Sequence, residues 1–275
     1  MLQPTSYCCL SELLSLVHKI NYLFNSSRAC PPTTDISHTM TSTNVLNSIG
    51  ILLEIIDGQD WPTFQSAALS STASFQAITN AISNCPESNG MTLLHAVVRC
   101  KPPLAIVAKM MEICPDLPAT RDCLGRTPLH VAAGSAAAPE LIKLIAHAHP
   151  ASCDATDEDG KTPLHFACDS SCELFEDDSA VMQMISREVC HDTIRALLSE
   201  SLHAATIEDM DEMNPIEYAI MSDAQMKTIK LLQKASCKSF QSSQLQSLPQ
   251  RTAARQRVSY REEEIMSVFP MRVMR

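Results

Sequence analysis

Apolar residues in the middle of this 275-residue chain recur at helical spacing, and two stretches share the same phase. The stretches are 104–113 and 140–148, and each follows a shorter segment of apolar and small residues that begins after a threonine. The apolar positions are Ile106, Val107, Met110 and Met111 in the first stretch and Leu141, Ile142, Leu144 and Ile145 in the second. The pattern predicts pairs of helices, a short one followed by a longer one, and therefore an all-α fold.

A fixed period underlies these pairs. Three of the six glycines, Gly90, Gly125 and Gly160, lie 35 residues apart, and each is followed two residues later by threonine. A period of about 20 to 50 residues is typical of units that cannot bury a core alone and do so by stacking on their neighbours. We therefore expect a solenoid of repeated helix pairs.

Each residue type in the repeat has a physical role at its position. Gly125 can adopt a positive φ at a tight turn, where a side chain would be strained. Thr127 suits a helix N-cap because its hydroxyl can accept a hydrogen bond from an amide of the first turn. Pro128 then occupies the first helical position with its φ already fixed. The repeat thus predicts that each short helix begins just after a glycine turn.

The repeated segments resemble the ankyrin repeat, a turn Asp-x-x-Gly followed by x-Thr-Pro-Leu-His-x-Ala-Ala. They read Gly-Arg-Thr-Pro-Leu-His-Val-Ala-Ala and Gly-Lys-Thr-Pro-Leu-His-Phe-Ala in the two strong copies, after Asp122 and Asp157, and Gly-Met-Thr-Leu-Leu-His-Ala-Val in a weaker one. The motif residues are Gly90, Thr92, His95, Gly125, Thr127, Pro128, Leu129, His130, Gly160, Thr162, Pro163, Leu164, His165, Asn214 and Pro215. The resemblance implies an ankyrin-type helix-turn-helix solenoid with short turn or hairpin tips. It also implies non-enzymatic protein binding through a concave surface of tips and first helices.

The repeat continues in weaker form on both sides, which gives four to five units within residues 45–238. Units are predicted to start near residues 57, 90, 125, 160 and 212. In the last unit, Asn214 and Pro215 supply the N-cap and the first helical residue, and Glu212 stands where glycine is expected. Further helices are predicted near Gln225–Ala235, at 61–69 and 75–82, and at Val45–Ile56. Atypical outer units agree with a capping role, because their outer faces must meet water.

Units are numbered here from the one that starts at Gly90. The third unit, which starts at Gly160, carries an insertion. Thr162 and Asn214 are 52 residues apart instead of 35, an excess of 17 that falls at about 169–190. Insertions in repeat proteins map to loops on one face, so we expect this acidic segment to project from the stack. Two interpretations stay open, a feature specific to this protein and a tolerated surface insertion without a role.

Candidate partner-binding residues lie at or beside the turns, where the fold does not demand a particular side chain. They are Met91, Leu124, Arg126, Glu158 and Lys161, together with Phe175 of the insertion. Leu124 could equally pack between neighbouring turns. The identity of the protein partner and the oligomeric state do not follow from the sequence.

Enzyme signatures are missing from the chain, which holds no Gly-x-Gly-x-x-Gly, phosphate loop, His-Glu-x-x-His or Gly-x-Ser-x-Gly. The motif histidines recur with the stacking period, which indicates a structural role. A second hypothesis is a regulatory subunit or metal-dependent switch that uses the cysteines near the acidic insertion. Its cluster comprises His165, Cys168, Cys172, Cys190 and His191. His165 belongs to the repeat and Cys168 is expected to face the core, so no metal and no cofactor are predicted.

Charge divides the chain into an acidic array and a basic tail. Residues 51–235 hold 12 Lys and Arg against 26 Asp and Glu, and residues 236–275 hold 7 against 3. An acidic array disfavours phosphate backbones, so nucleic acid is not an expected ligand. The tail could instead fold back on the array and mask it electrostatically.

Both ends are expected to be poorly ordered. Residues 1–44 form an N-terminal tail in which 7–24 could make an amphipathic helix, so recruitment to a membrane surface stays open. Residues 239–275 read as a Ser/Gln-rich linker followed by an Arg-rich tail, where Ser259 resembles a basophilic kinase site. Scattered cysteines without a secretory signal favour an intracellular, most simply cytoplasmic, location.

Overall fold

Helices make up the regular structure of the computed structural model, which describes residues 49–83, 88, 90–172, 174 and 188–247. The helices are α1 (49–57), α2 (Trp61–Ala68), α3 (Thr72–Ser83), α4 (Leu93–Arg99), α5 (Leu104–Ile113), α6 (Pro128–Gly134), α7 (Pro139–Ala148), α8 (Pro163–Cys168), α9 (His191–Glu200), α10 (Pro215–Met221) and α11 (Met226–Ser247). Short 3-10 helices lie at Leu117–Ala119, Pro150–Cys153 and His203–Thr206. No strand occurs in this part of the chain, which confirms the all-α prediction.

The helices stack in pairs. The first helices α4, α6, α8 and α10 contact one another in order, and the second helices α5, α7, α9 and α11 form a parallel row behind them. Helix α5 has the bounds that its apolar spacing predicts, and α7 begins one residue before its predicted start. The result is an ankyrin-type helical solenoid.

The short first helices begin where the repeat predicts because their N-caps share one arrangement. Thr92, Thr127 and Thr162 have extended backbones, and each is followed three residues later by a histidine whose side chain accepts from the N-cap amide. Pro128 and Pro163 occupy the first helical positions, where a missing N–H costs nothing. The cap thus fixes the start of helices too short to be stable in isolation.

Apolar side chains from both rows of helices form one core. Leu129 and Leu164 of the first row and Ile142 and Ile194 of the second are fully buried. Small residues such as Ala132 let neighbouring first helices approach closely. Because burying one such Leu or Ile contributes about 1.5 to 3 kcal/mol, each unit gains most of its stability from the neighbours that cover it.

The last helix corrects one expectation. Residues 239–247 were predicted to begin a flexible linker, but α11 continues through Ser247 and buries Ser239. The Ser242 and Ser243 hydroxyls donate to the carbonyls of Lys238 and Ser239 at 2.9 and 3.0 Å, one turn back. Serine can therefore satisfy its hydroxyl within a helix, and a Ser/Gln-rich composition does not by itself end one.

The remaining predictions for the ends fall outside the described residues. They concern the 1–44 tail with its helix, the masking role of the basic tail and Ser259. Of the helix predicted at Val45–Ile56, the described part is helical from residue 49.

Candidate protein-binding face

Four turns connect successive helix pairs and share one backbone geometry. Gly90, Gly125 and Gly160 have φ values of 75°, 73° and 79°, and Glu212 reaches 59° at the equivalent position of the last unit. In the Gly125 turn, the Asp122 amide donates to the Arg126 carbonyl at 2.9 Å and the Gly125 amide donates to the Asp122 carbonyl at 3.0 Å. Glu212 thus occupies the left-handed conformation that the missing glycine would favour.

An aspartate organises three of these turns. Asp122, Asp157 and Asp209 each accept hydrogen bonds through Oδ1 from the amides two and four residues later, at 2.7 to 3.1 Å. Their second oxygens differ. Asp122 Oδ2 accepts from Arg126 Nε at 2.8 Å, and Asp209 Oδ2 accepts from the Tyr218 hydroxyl at 2.6 Å. The bonds between the aspartate and the turn backbone are therefore the same in the three turns, whereas the side chain that donates to Oδ2 differs between Asp122 and Asp209.

Each motif histidine joins one unit to the next. Nδ1 of His130 accepts from the Thr127 amide at 2.9 Å, and Nε2 lies 3.1 Å from the Lys161 carbonyl. His95 and His165 make the same bridges, to the carbonyls of Arg126 and Met213. Because Nδ1 accepts, the ring hydrogen lies on Nε2, which donates to the neighbouring turn.

Burial keeps these three histidines neutral. Desolvation lowers the pKa of His95 to about 4, of His130 to about 3 and of His165 to about 4, although the carbonyl that each ring contacts favours the charged form. A proton on Nδ1 would also remove the acceptor of the N-cap amide. The histidines are thus structural bridges, as their periodic placement predicts, and not acid–base groups.

Glu217 replaces histidine in the last unit. Its carboxylate Oε2 accepts from the Asn214 amide at 2.8 Å, so the capping box is retained. A carboxylate has no N–H to donate to a further turn, and the Glu217 side chain is exposed. The bridging series therefore stops at α10 in the described part of the chain.

The turns and first helices form the surface that we call the first-helix face, made by the turns at Gly90, Gly125, Gly160 and Glu212 with α4, α6, α8 and α10. Neighbouring turns are joined by backbone bonds of 2.9 Å, from the Glu158 amide to the Leu124 carbonyl and from the Met210 amide to the Asp159 carbonyl. Such bonds hold the tips in a fixed register. The face is consequently a rigid platform for whatever side chains point outward from it.

Only some of the predicted binding residues are available on this face. Met91 and Arg126 are each 4% exposed, so the expectation that the fold does not demand them was wrong. Met91 packs into the core, and Arg126 pairs with Asp122. Glu158 is exposed and Leu124 is half-buried, whereas Phe175 lies outside the described residues.

Lys161 belongs to a cluster that sequence reasoning missed. Its ammonium lies 5.1 Å from the centroid of the Tyr218 ring, and the same ring stacks edge-on against His165 with centroids 5.7 Å apart. Burial alone would lower the pKa of Lys161, but contact with Tyr218 and the carboxylates of Asp169 and Asp209 raises it above its ordinary value. The feature of the sequence that could have predicted this cluster is Tyr218, a polar aromatic residue at the repeat position that Val131 and Phe166 occupy in other units.

The last unit also exposes large apolar side chains. Ile220 is 55% exposed and Met221 is 73% exposed, at the helix positions that Ala133 and Gly134 hold in the second unit. Met210, at the adjoining turn, is 75% exposed. The nearby exposed carboxylates are Glu158, Asp159, Asp211, Glu212 and Glu217. This end of the first-helix face combines apolar area with negative charge.

The described start of the insertion, up to Leu174, departs from the prediction that this segment projects from the stack. Leu174 is 8% exposed, and an ideal Cβ built on Gly134 of α6 would lie only 2.6 Å from a Leu174 methyl carbon. Arg126 Nη1 donates to the Leu174 carbonyl at 2.8 Å. The first part of the insertion therefore folds back onto the preceding unit. An apolar side chain beside a surface glycine of α6 gains more by covering it than by entering water.

Metal-ligating side chains are not grouped in the described residues. No cluster of three or more His, Cys, Asp or Glu side chains is placed to hold a metal ion there. Both ring nitrogens of His165 are already engaged, and Cys168 is fully buried, so two of the five candidate ligands are committed to the repeat. None of the described cysteines forms a disulfide bond.

Comparison with known proteins agrees with this geometry. Residues 114–167 match the family model described as ankyrin repeats (many copies). This segment of the chain consists of ankyrin repeats. The match spans the second unit and the start of the third, where the turns and histidine bridges are most regular. No curated protein matches the chain. No helix among the described residues is long and apolar enough to cross a membrane.

Proposed function

We propose that the protein is a non-enzymatic interaction module or adaptor that binds a protein partner through the C-terminal half of its first-helix face. Ankyrin repeats generally mediate protein–protein interaction, and the exposed side chains at this end of the face support placing the contact there. The observation that carries the proposal is the exposure of Ile220 and Met221 next to carboxylates on a rigid face. Exposed apolar residues rimmed by polar ones mark interaction sites.

The chemistry of this region defines the kind of partner. Ile220, Met221 and Met210 offer contact area to an apolar side chain, and methionine adapts its shape to different partners. Glu158, Asp211 and Glu212 are exposed in the two turns that the Met210 amide joins, and their negative charge favours a partner that carries Lys or Arg. We therefore infer a partner segment with an apolar anchor flanked by basic residues.

Leu124, Glu158 and Lys161 extend the proposed contact along the turns. Leu124 is half-buried, so part of its side chain stays accessible, and Glu158 is exposed beside it. Lys161 is held over Tyr218 and presents a positive charge within an otherwise acidic surface. We place the protein inside the cell, where scattered cysteines such as those of this chain stay reduced. No contact among the described residues favours the metal-dependent switch.

Affinity capture with matched variants tests the proposal. Ile220→Asp and Met221→Asp together place charge in the apolar area, whereas Leu104→Asp makes the same change at an exposed position of α5, in the second row. We expect captured partners to lose at least about tenfold in affinity for the Ile220/Met221 variant, since anchors of an interface contribute more than about 1 kcal/mol each. They should bind the Leu104 variant normally. Equal binding to both variants would place the interaction elsewhere.

A further inference from the structure

Gly134 is the first of two features that point to a built socket on α6. Its φ is not positive, so the backbone does not require glycine there. A helical glycine costs about 0.5 to 1 kcal/mol relative to alanine. The equivalent positions of the other units hold Arg99, Asp169 and Met221, so the repeat tolerates side chains at this place. What distinguishes the second unit is that Leu174 fills the space a side chain would need.

Arg126 is the second feature. Its side chain is 5% exposed and pairs with the 1% exposed side chain of Asp122. A buried guanidinium must have its remaining N–H groups satisfied, and Nη1 donates to the Leu174 carbonyl. The equivalent positions hold Met91, Lys161 and Met213, so this donor too is specific to the second unit. Gly134 and Arg126 thus meet the side chain and the carbonyl of one and the same residue.

Residues at both ends of the insertion contact the fourth unit. At its start, the Ser170 amide donates to the Ser222 hydroxyl at 2.8 Å, next to the exposed apolar area of the last unit. At its end, Glu188 accepts from Gln225 at 3.0 Å, just before α11, and Val189 is buried. Between these anchors on the fourth unit, Leu174 reaches back to the second unit. The described residues of the insertion therefore contact both the second and the fourth unit.

We propose that Gly134 and Arg126 form a leucine socket, that Leu174 occupies it as an internal ligand, and that a partner segment bearing a leucine competes for it. The socket recognises two things: an aliphatic side chain that fits against a bare helix surface, and the backbone carbonyl of the same residue. An extended peptide segment presents both groups together. Leu174 then sets access to the surface at Gly134 and Arg126, because a partner must displace this side chain before it can bind there.

The inference rests on the proposed function only in that the partner uses the same face, and its test needs no partner. The probe is a ten-residue peptide with the sequence of residues 169–178, carrying serine in place of Cys172. It is titrated into the full-length wild-type chain and into the full-length Leu174→Asp chain, and binding is followed in amide nuclear magnetic resonance spectra, which detect millimolar affinities. Circular dichroism establishes that both chains keep the same helicity.

We expect the Leu174→Asp chain to bind the peptide at least about tenfold more tightly than the wild type, because a socket occupied about nine-tenths of the time reduces apparent affinity tenfold. A peptide with Asp in place of Leu174 should not bind. Adding Gly134→Val to the Leu174→Asp chain should abolish binding, because the new side chain takes the space of the leucine. Equal affinity for the wild type and Leu174→Asp, no binding to a folded Leu174→Asp chain, or binding unaffected by Gly134→Val would each overturn the inference.

A measurement on Leu174 itself provides an independent check. Gly134→Ala should increase amide hydrogen exchange in residues 170–174 by about tenfold, because the added methyl displaces the leucine from α6. Unchanged exchange would contradict the socket. Partner capture through Ile220 and Met221 is unaffected by either result, so a failed socket and a failed binding face are distinguishable.

Discussion

Tyr218 donates a hydrogen bond of 2.6 Å from its hydroxyl to Oδ2 of Asp209, nine residues earlier in the chain. Phe166 stands at the same distance in sequence from Asp157 in the preceding unit and has no hydroxyl to offer. Burial alone would raise the pKa of Asp209, but the bond from Tyr218 and those from the turn amides hold it below its ordinary value. Burial raises the pKa of Asp157 to about 6, although the Lys161 amide donates to it. Two equivalent aspartates thus differ in acidity, and the Tyr218 phenol is one cause of the difference.

Phe166→Tyr should transfer the Tyr218 arrangement to the third unit. We expect the pKa of Asp157 to fall and the free energy of unfolding at pH 7 to rise by about 1 kcal/mol, the usual net contribution of such a bond. Carboxyl titration by nuclear magnetic resonance and urea unfolding provide the two measurements. The matched change Tyr218→Phe should act in the opposite direction on Asp209. A Phe166→Tyr chain whose Asp157 still titrates near 6 would show that the hydroxyl does not reach the carboxylate.

Stability should fall in acid because His95, His130 and His165 take up protons only on unfolding. Their folded pKa values of about 3 to 4 lie below the unfolded value of about 6.5, so the stability they provide is complete above about pH 6.5 and is lost as the pH falls towards 4. Asp157 opposes this trend, because its raised pKa makes the folded state bind a proton first. The net expectation near pH 5 is a loss of about 2 to 3 kcal/mol per pH unit from these four groups.

Replacing one bridge tests that assignment. His165→Gln keeps an acceptor for the N-cap amide but removes one titrating ring. The pH dependence of unfolding between 4 and 6.5 should then become shallower by about one proton, or about 1.4 kcal/mol per pH unit. Urea unfolding at several pH values gives the slope. An identical slope in both chains would mean that His165 is already protonated in the folded protein.

Glu212 provides a direct route to stabilisation. Its φ of 59° costs a residue with a side chain about 1 to 2 kcal/mol, and glycine avoids this at the expense of a more flexible unfolded chain. Glu212→Gly should therefore raise the unfolding free energy by about 0.5 to 1 kcal/mol, measured as a higher urea midpoint at an unchanged slope. Glu208→Gly, at an exposed neighbouring position without a positive φ, is the control and should bring no gain. A lower midpoint for Glu212→Gly would mean that the glutamate side chain stabilises the turn.

Arg126 and Lys161 occupy equivalent positions but should differ in what their removal costs. Arg126→Met leaves Asp122 buried without its partner, and breaking such a pair costs about 3 to 5 kcal/mol. Lys161→Met removes a half-buried ammonium over an aromatic ring, an interaction of about 0.5 to 1 kcal/mol. Thermal and urea unfolding of the two variants measure the contrast. Similar losses would indicate that the Asp122 pair is no stronger than a surface contact.

The regular part of the array could be predicted because its signals are local. The spacing of apolar residues gave the bounds of α5, and a threonine with a proline behind it marked the start of α6 and α8. Even Glu212, which breaks the motif, keeps the φ that its place in the period requires. In each case the information lies within one turn or one helix, where spacing and capping decide the structure.

The candidate site was harder because its contacts are distant in sequence. Because Met91 and Arg126 each follow a turn glycine, we expected both to be available to a partner. Met91 instead packs into the core, and Arg126 pairs with Asp122. Leu174 lies 48 residues beyond Arg126, and no local pattern reports their contact. Gly134 was the available clue, a glycine outside the 35-residue period that no turn explains.

Glu217 gives the array a direction. Each bridging histidine donates a hydrogen bond to a carbonyl of the next unit, so each of these units offers a donor to the unit that follows it. The Glu217 carboxylate offers only acceptor oxygens, whereas the carbonyl of a further unit would need an N–H donor. The bond that Glu217 accepts from the Asn214 amide forms without any further unit. A consensus unit added after α11 would therefore find no N–H donor for its turn carbonyl. Extending the array in the laboratory would first require Glu217→His.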